Sequence, residues 1–73
     1  MEEKIFLNAD EEYITLNEFL KLTNIISTGG QGKYYLQENE VFVDGELETR
    51  RGRKLYPGMT VKVDNSIFLI ERK

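Results

Sequence analysis

Cysteine and histidine are both missing from these 73 residues. Without cysteine there is no disulfide to staple the chain and no thiolate to hold a metal. Without histidine the imidazole ligand of metal sites and the usual base beside a nucleophilic serine are gone as well. Packing alone must hold the fold, and neither catalytic residues, a metal nor a cofactor is expected. Long hydrophobic runs are also lacking. No stretch approaches the ~20 apolar residues of a membrane span, and the first residues have no basic start, long apolar segment or small-residue cleavage site of a signal peptide. The expectation is a cytoplasmic protein with no membrane partner. A chain of this length buries only about 60% of the surface its unfolded form exposes, so one domain over residues 1–73 with a modest stability margin is expected.

What is present is charge, unevenly distributed. The formal net charge is −3, and Glu2, Glu3, Asp10, Glu11 and Glu12 crowd the first dozen residues. So dense an acidic segment reads as a solvated face rather than a catalytic carboxylate pair. Against that total stands Arg50-Arg51-Gly52-Arg53-Lys54, four cations in five residues. Arginine offers a planar fork of donors matched to phosphate, and a glycine among arginines allows close approach to a ligand. On the residues alone two readings stay open: a phosphate contact, or a solvated basic loop that offsets Glu46 and Glu48.

Short apolar stretches at Lys4–Leu7 and Tyr13–Leu16 suggest strands separated by a turn-like segment. Thr15 stands three residues before Glu18, the spacing of a capping box, and Leu16, Phe19, Leu20 and Thr23 follow at helical spacing with Lys21 pointing away. A first helix starts there. Thr28 offers a second N-cap with Gln31 in the matching position, and a second helix is expected to run to about Glu38. On it Gly32, Tyr35 and Leu36 share a face, with glycine permitting close approach to the first helix, while Lys33 and Tyr34 fall toward solvent or a ligand. Asn39 would stop the helix through a left-handed conformation.

From Val41 the period changes to two. Asp44-Gly45 is a favoured two-residue hairpin turn, Pro57-Gly58 a second turn signature, and Val61 to Val63 and Ile67 to Ile70 read as later strands, the last a candidate partner for the first. The fold class expected is α+β, two helices packed on a small antiparallel sheet. Leu16, Phe19, Leu20, Tyr35, Leu36, Val41, Val43, Val61 and Leu69 should form its core.

Three segments together carry a resemblance: Thr28-Gly29-Gly30-Gln31-Gly32-Lys33-Tyr34-Tyr35-Leu36, then Asn39-Glu40-Val41-Phe42-Val43-Asp44-Gly45, then Tyr56-Pro57-Gly58-Met59-Thr60-Val61. Over roughly residues 15–64 the chain resembles the S4 RNA-binding domain family, with its L-shaped helix pair (the alpha-L motif). The glycine pair and the Arg-Arg-Gly-Arg-Lys-Leu-Tyr run resemble those of the small stand-alone bacterial S4 proteins of the YaaA type. The resemblance implies a non-catalytic module that binds structured RNA, ribosomal or transfer RNA, and associates with the ribosome or a protein partner. It departs from the family where Thr28-Gly29 replaces serine-arginine and where Thr15-Leu16-Asn17 replaces arginine-leucine-aspartate, each losing a positive charge. Candidate RNA contacts are then Lys21, Thr28, Gly29, Gly30, Gln31, Lys33, Tyr34, Arg50, Arg51, Arg53 and Lys54, with Tyr34 available to stack on an unpaired base or simply to cover neighbouring surface. The alternative is a protein-interaction module whose basic loop docks on an acidic partner, such as a replication or recombination protein.

Overall fold

The helix that the Thr15–Glu18 spacing predicts is present in the computed structural model, which describes residues 2–73. The chain runs β1 (Glu2–Leu7), β2 (Ile14–Thr15), α1 (Leu16–Leu22), α2 (Gln31–Glu38), β3 (Val41–Val43), β4 (Glu46–Leu47), β5 (Lys54–Leu55), β6 (Thr60–Val63) and β7 (Ser66–Arg72). At the start of α1 the Thr15 hydroxyl accepts from the Glu18 N–H, and the Glu18 carboxylate accepts in return from the Thr15 N–H, each at 3.2 Å. Two otherwise orphaned amides are satisfied in this way. At the other end the Thr23 hydroxyl donates to the Phe19 carbonyl at 2.9 Å.

The cap of α2 differs from the expectation. Gly30, not Thr28, is the N-cap, and no side chain caps the helix. Gln31 instead reaches back, its side-chain oxygen accepting from the N–H groups of Ser27 at 2.6 Å and Thr28 at 3.2 Å. Half of the capping box survives, and its effect is to fold the Ser27–Gly30 turn. Asn39 does end the helix, yet with extended φ −129 and ψ 148 rather than left-handed geometry. The close approach expected at Gly32 is present: a Cβ there would overlap the side-chain amide of Asn17 on α1.

Five strands form the main sheet in the order β1-β7-β6-β3-β4, and β2 pairs with β5 in a separate two-stranded ribbon. The β3–β4 turn has Asp44 at φ 51 and Gly45 at φ 85, the left-handed pair that a tight hairpin needs. The sheet is mixed rather than wholly antiparallel, because β1 lies parallel to β7. Partners so distant in sequence share no hairpin turn, and so no local signal fixes their direction.

Both helices bury their apolar sides against one face of this sheet, with Leu16, Phe19, Leu20 and Leu36 meeting Val41, Val43, Val61, Phe68 and Ile70. Phe19 and Phe68 meet edge to face, centroids 5.0 Å apart. Leu69 is a correction: it is half-buried and faces outward, while Phe68 and Ile70 point in. The register explains this, since Val61 pairs with Phe68 and cross-strand partners share a face, so an inward Val61 obliges an inward Phe68. Tyr35 is likewise only partly buried, and burial, with Asp64 nearby, raises its hydroxyl pKa. The acidic N-terminal residues are exposed apart from half-buried Glu11, and Arg72 ties their turn down by donating to the Glu11 carbonyl at 2.7 Å.

Candidate nucleic-acid interface

Glu48 organises the basic loop. Leu47, the last residue of β4, is 54% exposed, whereas Glu48 just beyond the strand is only 6% exposed. A carboxylate so deeply buried must be satisfied, and five donors converge on it. They are the N–H groups of Thr49 (3.1 Å) and Arg50 (3.0 Å), Nε and Nη2 of Arg50 (3.1 and 3.3 Å) and Nη1 of Arg53 (2.8 Å). The Arg50 guanidinium is the main cause holding the Glu48 pKa down to about 2, with the Arg50 N–H and Arg53 adding to it against the opposing effect of burial. The same pair raises the Arg50 pKa.

That shift gives a pH dependence with a definite sign. The fold favours the ionised carboxylate, so its contribution is complete above pH ~4.5, the unfolded value, and is lost as pH falls through the folded value of about 2. The contribution is at most on the order of 3 kcal/mol, and solvent screening at the exposed Arg50 side chain reduces it. Glu48→Gln should lower stability at pH 7 and flatten the stability profile between pH 4.5 and 2, both read by urea denaturation across that range. A variant whose profile matched the parent's would exclude Glu48 as the source.

The loop is also pinned from the other side. The carbonyls of Arg53 and Arg51 accept from the first amides of α1, Leu16 N–H at 2.8 Å and Asn17 N–H at 2.9 Å. Basic backbone therefore closes the N-terminus of α1, so those amides are not open to a ligand. Asn17 then links the two candidate segments. Its backbone holds Arg51, while its side chain lies under α2, 3.3 Å from where a Gly29 Cβ would stand and against Gly32. Its amide oxygen is buried with no hydrogen-bond partner among the described residues.

Arg50, Arg51, Arg53 and Lys54 thus share one loop, and Asn17 bridges it to the Gly29–Gly30 turn that opens α2. Within the loop, Arg50 has a 75% exposed side chain and Arg53 one of 29%, both leaning on Glu48. Arg51 and Lys54 are exposed, as are Thr28, Gln31, Lys33 and Tyr34 around the start of α2. Gly30 has open space on its side-chain side. Lys21 stands apart, lining a different groove with Phe6, Leu7, Glu11, Glu18 and Leu22.

Three features escaped the sequence reading. The burial of Glu48 is one and the bridging Asn17 another. The third is an aromatic pair: Tyr13 and Tyr56 stand with centroids 5.5 Å apart, and Lys54 Nζ lies 5.1 Å from the Tyr13 ring centre. The β2–β5 register pairs Ile14 with Leu55, which brings their neighbours Tyr13 and Tyr56 together. Only the two apolar residues between hydrophilic flanks could have hinted at that pairing.

Known proteins are similar to this chain in sequence. Residues 7–71 match the family described as S4 domain. A protein of Bacillus subtilis (strain 168) named "Probable ribosome maturation protein RlbA" is 48% identical over 58 residues, 80% of this chain and 82% of that protein. One of Escherichia coli (strain K12) named "Putative RNA-binding protein YbcJ" is 39% identical over 49 residues, 67% of this chain and 70% of that protein. With a family match running from the end of β1 to β7, and relatives this similar over most of both chains, the chain belongs to the S4 domain family.

Proposed function

We propose that this chain is a non-catalytic, cytoplasmic module that binds structured RNA, ribosomal or transfer RNA, through phosphate contacts from the Arg50–Lys54 loop and the Gly29–Gly30 turn. The observation that carries this reading is the pinning of the loop: Glu48 and the first turn of α1 hold it in one conformation beside the start of α2. Fixed guanidinium groups lose little freedom on meeting phosphates, and amides at a helix N-terminus favour anions. The family and the names of the two relatives support RNA over DNA, and one of them, named for ribosome maturation, supports a ribosomal partner. Among the described residues no element is set out like a major-groove reading helix, whereas RNA helices are recognised by shape, backbone and 2′-hydroxyls.

The test titrates purified protein with a helix–loop fragment of ribosomal RNA and with a DNA hairpin of the same sequence. Tighter binding to the RNA, which is then recovered intact, is the expected result. Cleaved or altered RNA would overturn the non-catalytic assignment. Failure to bind RNA, with capture of an acidic protein instead, would replace this reading with a protein-docking one.

A further inference from the structure

Beside the basic loop lies a groove of about 660 Å³ lined by Arg50, Gly52, Arg53, Lys54, Tyr56 and Met59. We propose that it receives one unpaired nucleobase of the bound RNA, stacked on the Tyr56 ring, with the adjoining phosphate held by Arg50, Arg53 and Lys54. This rests on the RNA-binding reading and names a subsite within it.

The groove combines the chemistries that a nucleotide presents. Its volume falls within the ~300–1,000 Å³ of small-ligand sites. Met59 packs against the core and supplies apolar surface, and Tyr56 is 42% exposed, leaving ring surface uncovered. The platform is held in place. Tyr56 opens a tight turn in which Gly58 has φ 96; the Tyr56 N–H donates to the Met59 sulfur at 3.1 Å, and the Tyr56 carbonyl accepts from the Met59 N–H at 3.1 Å. Tyr13 stands beside the Tyr56 ring at an interplanar angle of 46°. The cations are fixed too, two of them by Glu48 and Lys54 by its contact with Tyr13. A flat aromatic surface beside three positioned cations fits a base with its phosphate, since every base has a π-face and stacking tolerates any sequence.

The test is an NMR titration of the full chain with the RNA pentamer A5, with the mononucleotide AMP and with a blunt RNA duplex. A5 should move the Tyr56 ring resonances upfield, and the blunt duplex should leave them in place. Tyr56→Leu should weaken A5 binding by roughly 5- to 150-fold without changing the salt slope, because the phosphate contacts remain. Tyr56→Phe, which keeps the ring, should bind within about twofold of the parent, and the upfield shift of the parent's Tyr56 ring decides the matter even if the leucine variant folds poorly. Tyr56 resonances unmoved by A5, or equal A5 affinity in the leucine variant, would overturn this subsite while normal duplex binding left the RNA reading intact. AMP binding as tightly as A5 would also overturn it, in favour of a free-nucleotide site. Failure of both A5 and the duplex to bind would instead bring down the RNA reading itself.

Discussion

Truncating Leu20 or Leu36 to alanine is expected to unfold much of the protein at physiological temperature. Leu20 is fully enclosed and Leu36 is 3% exposed, one on each helix, and both meet the same sheet face. Removing a buried leucine side chain costs about 2–5 kcal/mol, the transfer of its methyl groups plus the cavity left behind. Domains have only ~5–15 kcal/mol of stability, and one so small, with no cysteine to crosslink it, belongs near the lower end. Thermal denaturation should show Tm falling on the order of 10–40 °C for either variant. Leu22→Ala is the control: that side chain is 62% exposed on the same helix, and its loss should change stability by no more than about 0.5 kcal/mol. Unchanged melting for both Leu20→Ala and Leu36→Ala would contradict the two-helix core.

The parts of the fold readable in the sequence are those set by local spacing. Thr15 and Glu18 fix the start of α1 because both hydrogen bonds of the box close within one turn. Asp44-Gly45 fixes the β3–β4 hairpin because few other pairs accept two positive φ values in succession. What distant contacts decide was not readable. The inward turn of Glu48 depends on Arg53 arriving from the far side of a loop that α1 pins, and alternation alone would sooner bury an apolar residue there. Leu69 illustrates the same limit: a run of four apolar residues has no parity of its own, and only the pairing with Val61 assigns one.

The candidate site divides in the same way. The charges of Arg50, Arg51, Arg53 and Lys54 are conspicuous in the sequence, and so are the glycines before α2. Their connection through Asn17 is a tertiary fact, visible only once α1 lies between them. The Tyr13–Tyr56 pair is equally hidden, because its strands are two residues long and show no periodicity.

If, as proposed, the Arg50–Lys54 loop meets RNA phosphates, the salt dependence of binding must change once the loop is neutralised. Replacing Arg50, Arg51, Arg53 and Lys54 together with glutamine removes the charges while leaving amide donors for Glu48. Each phosphate contact contributes about 0.7 to 0.9 to the slope of log affinity against log salt. Glu48 already offsets part of the charge on Arg50 and Arg53, so the slope should flatten by about two to three units rather than by the full value for four contacts. Affinity for a ribosomal RNA helix–loop fragment should fall steeply at low salt; loss of the Glu48 ion pairs also lowers stability, so binding is read at low temperature, where the amide spectrum keeps the dispersion of the folded core. A quadruple variant that binds the same RNA with unchanged affinity and unchanged slope would contradict the claim, and an acidic protein surface would take the place of RNA as the partner of this loop.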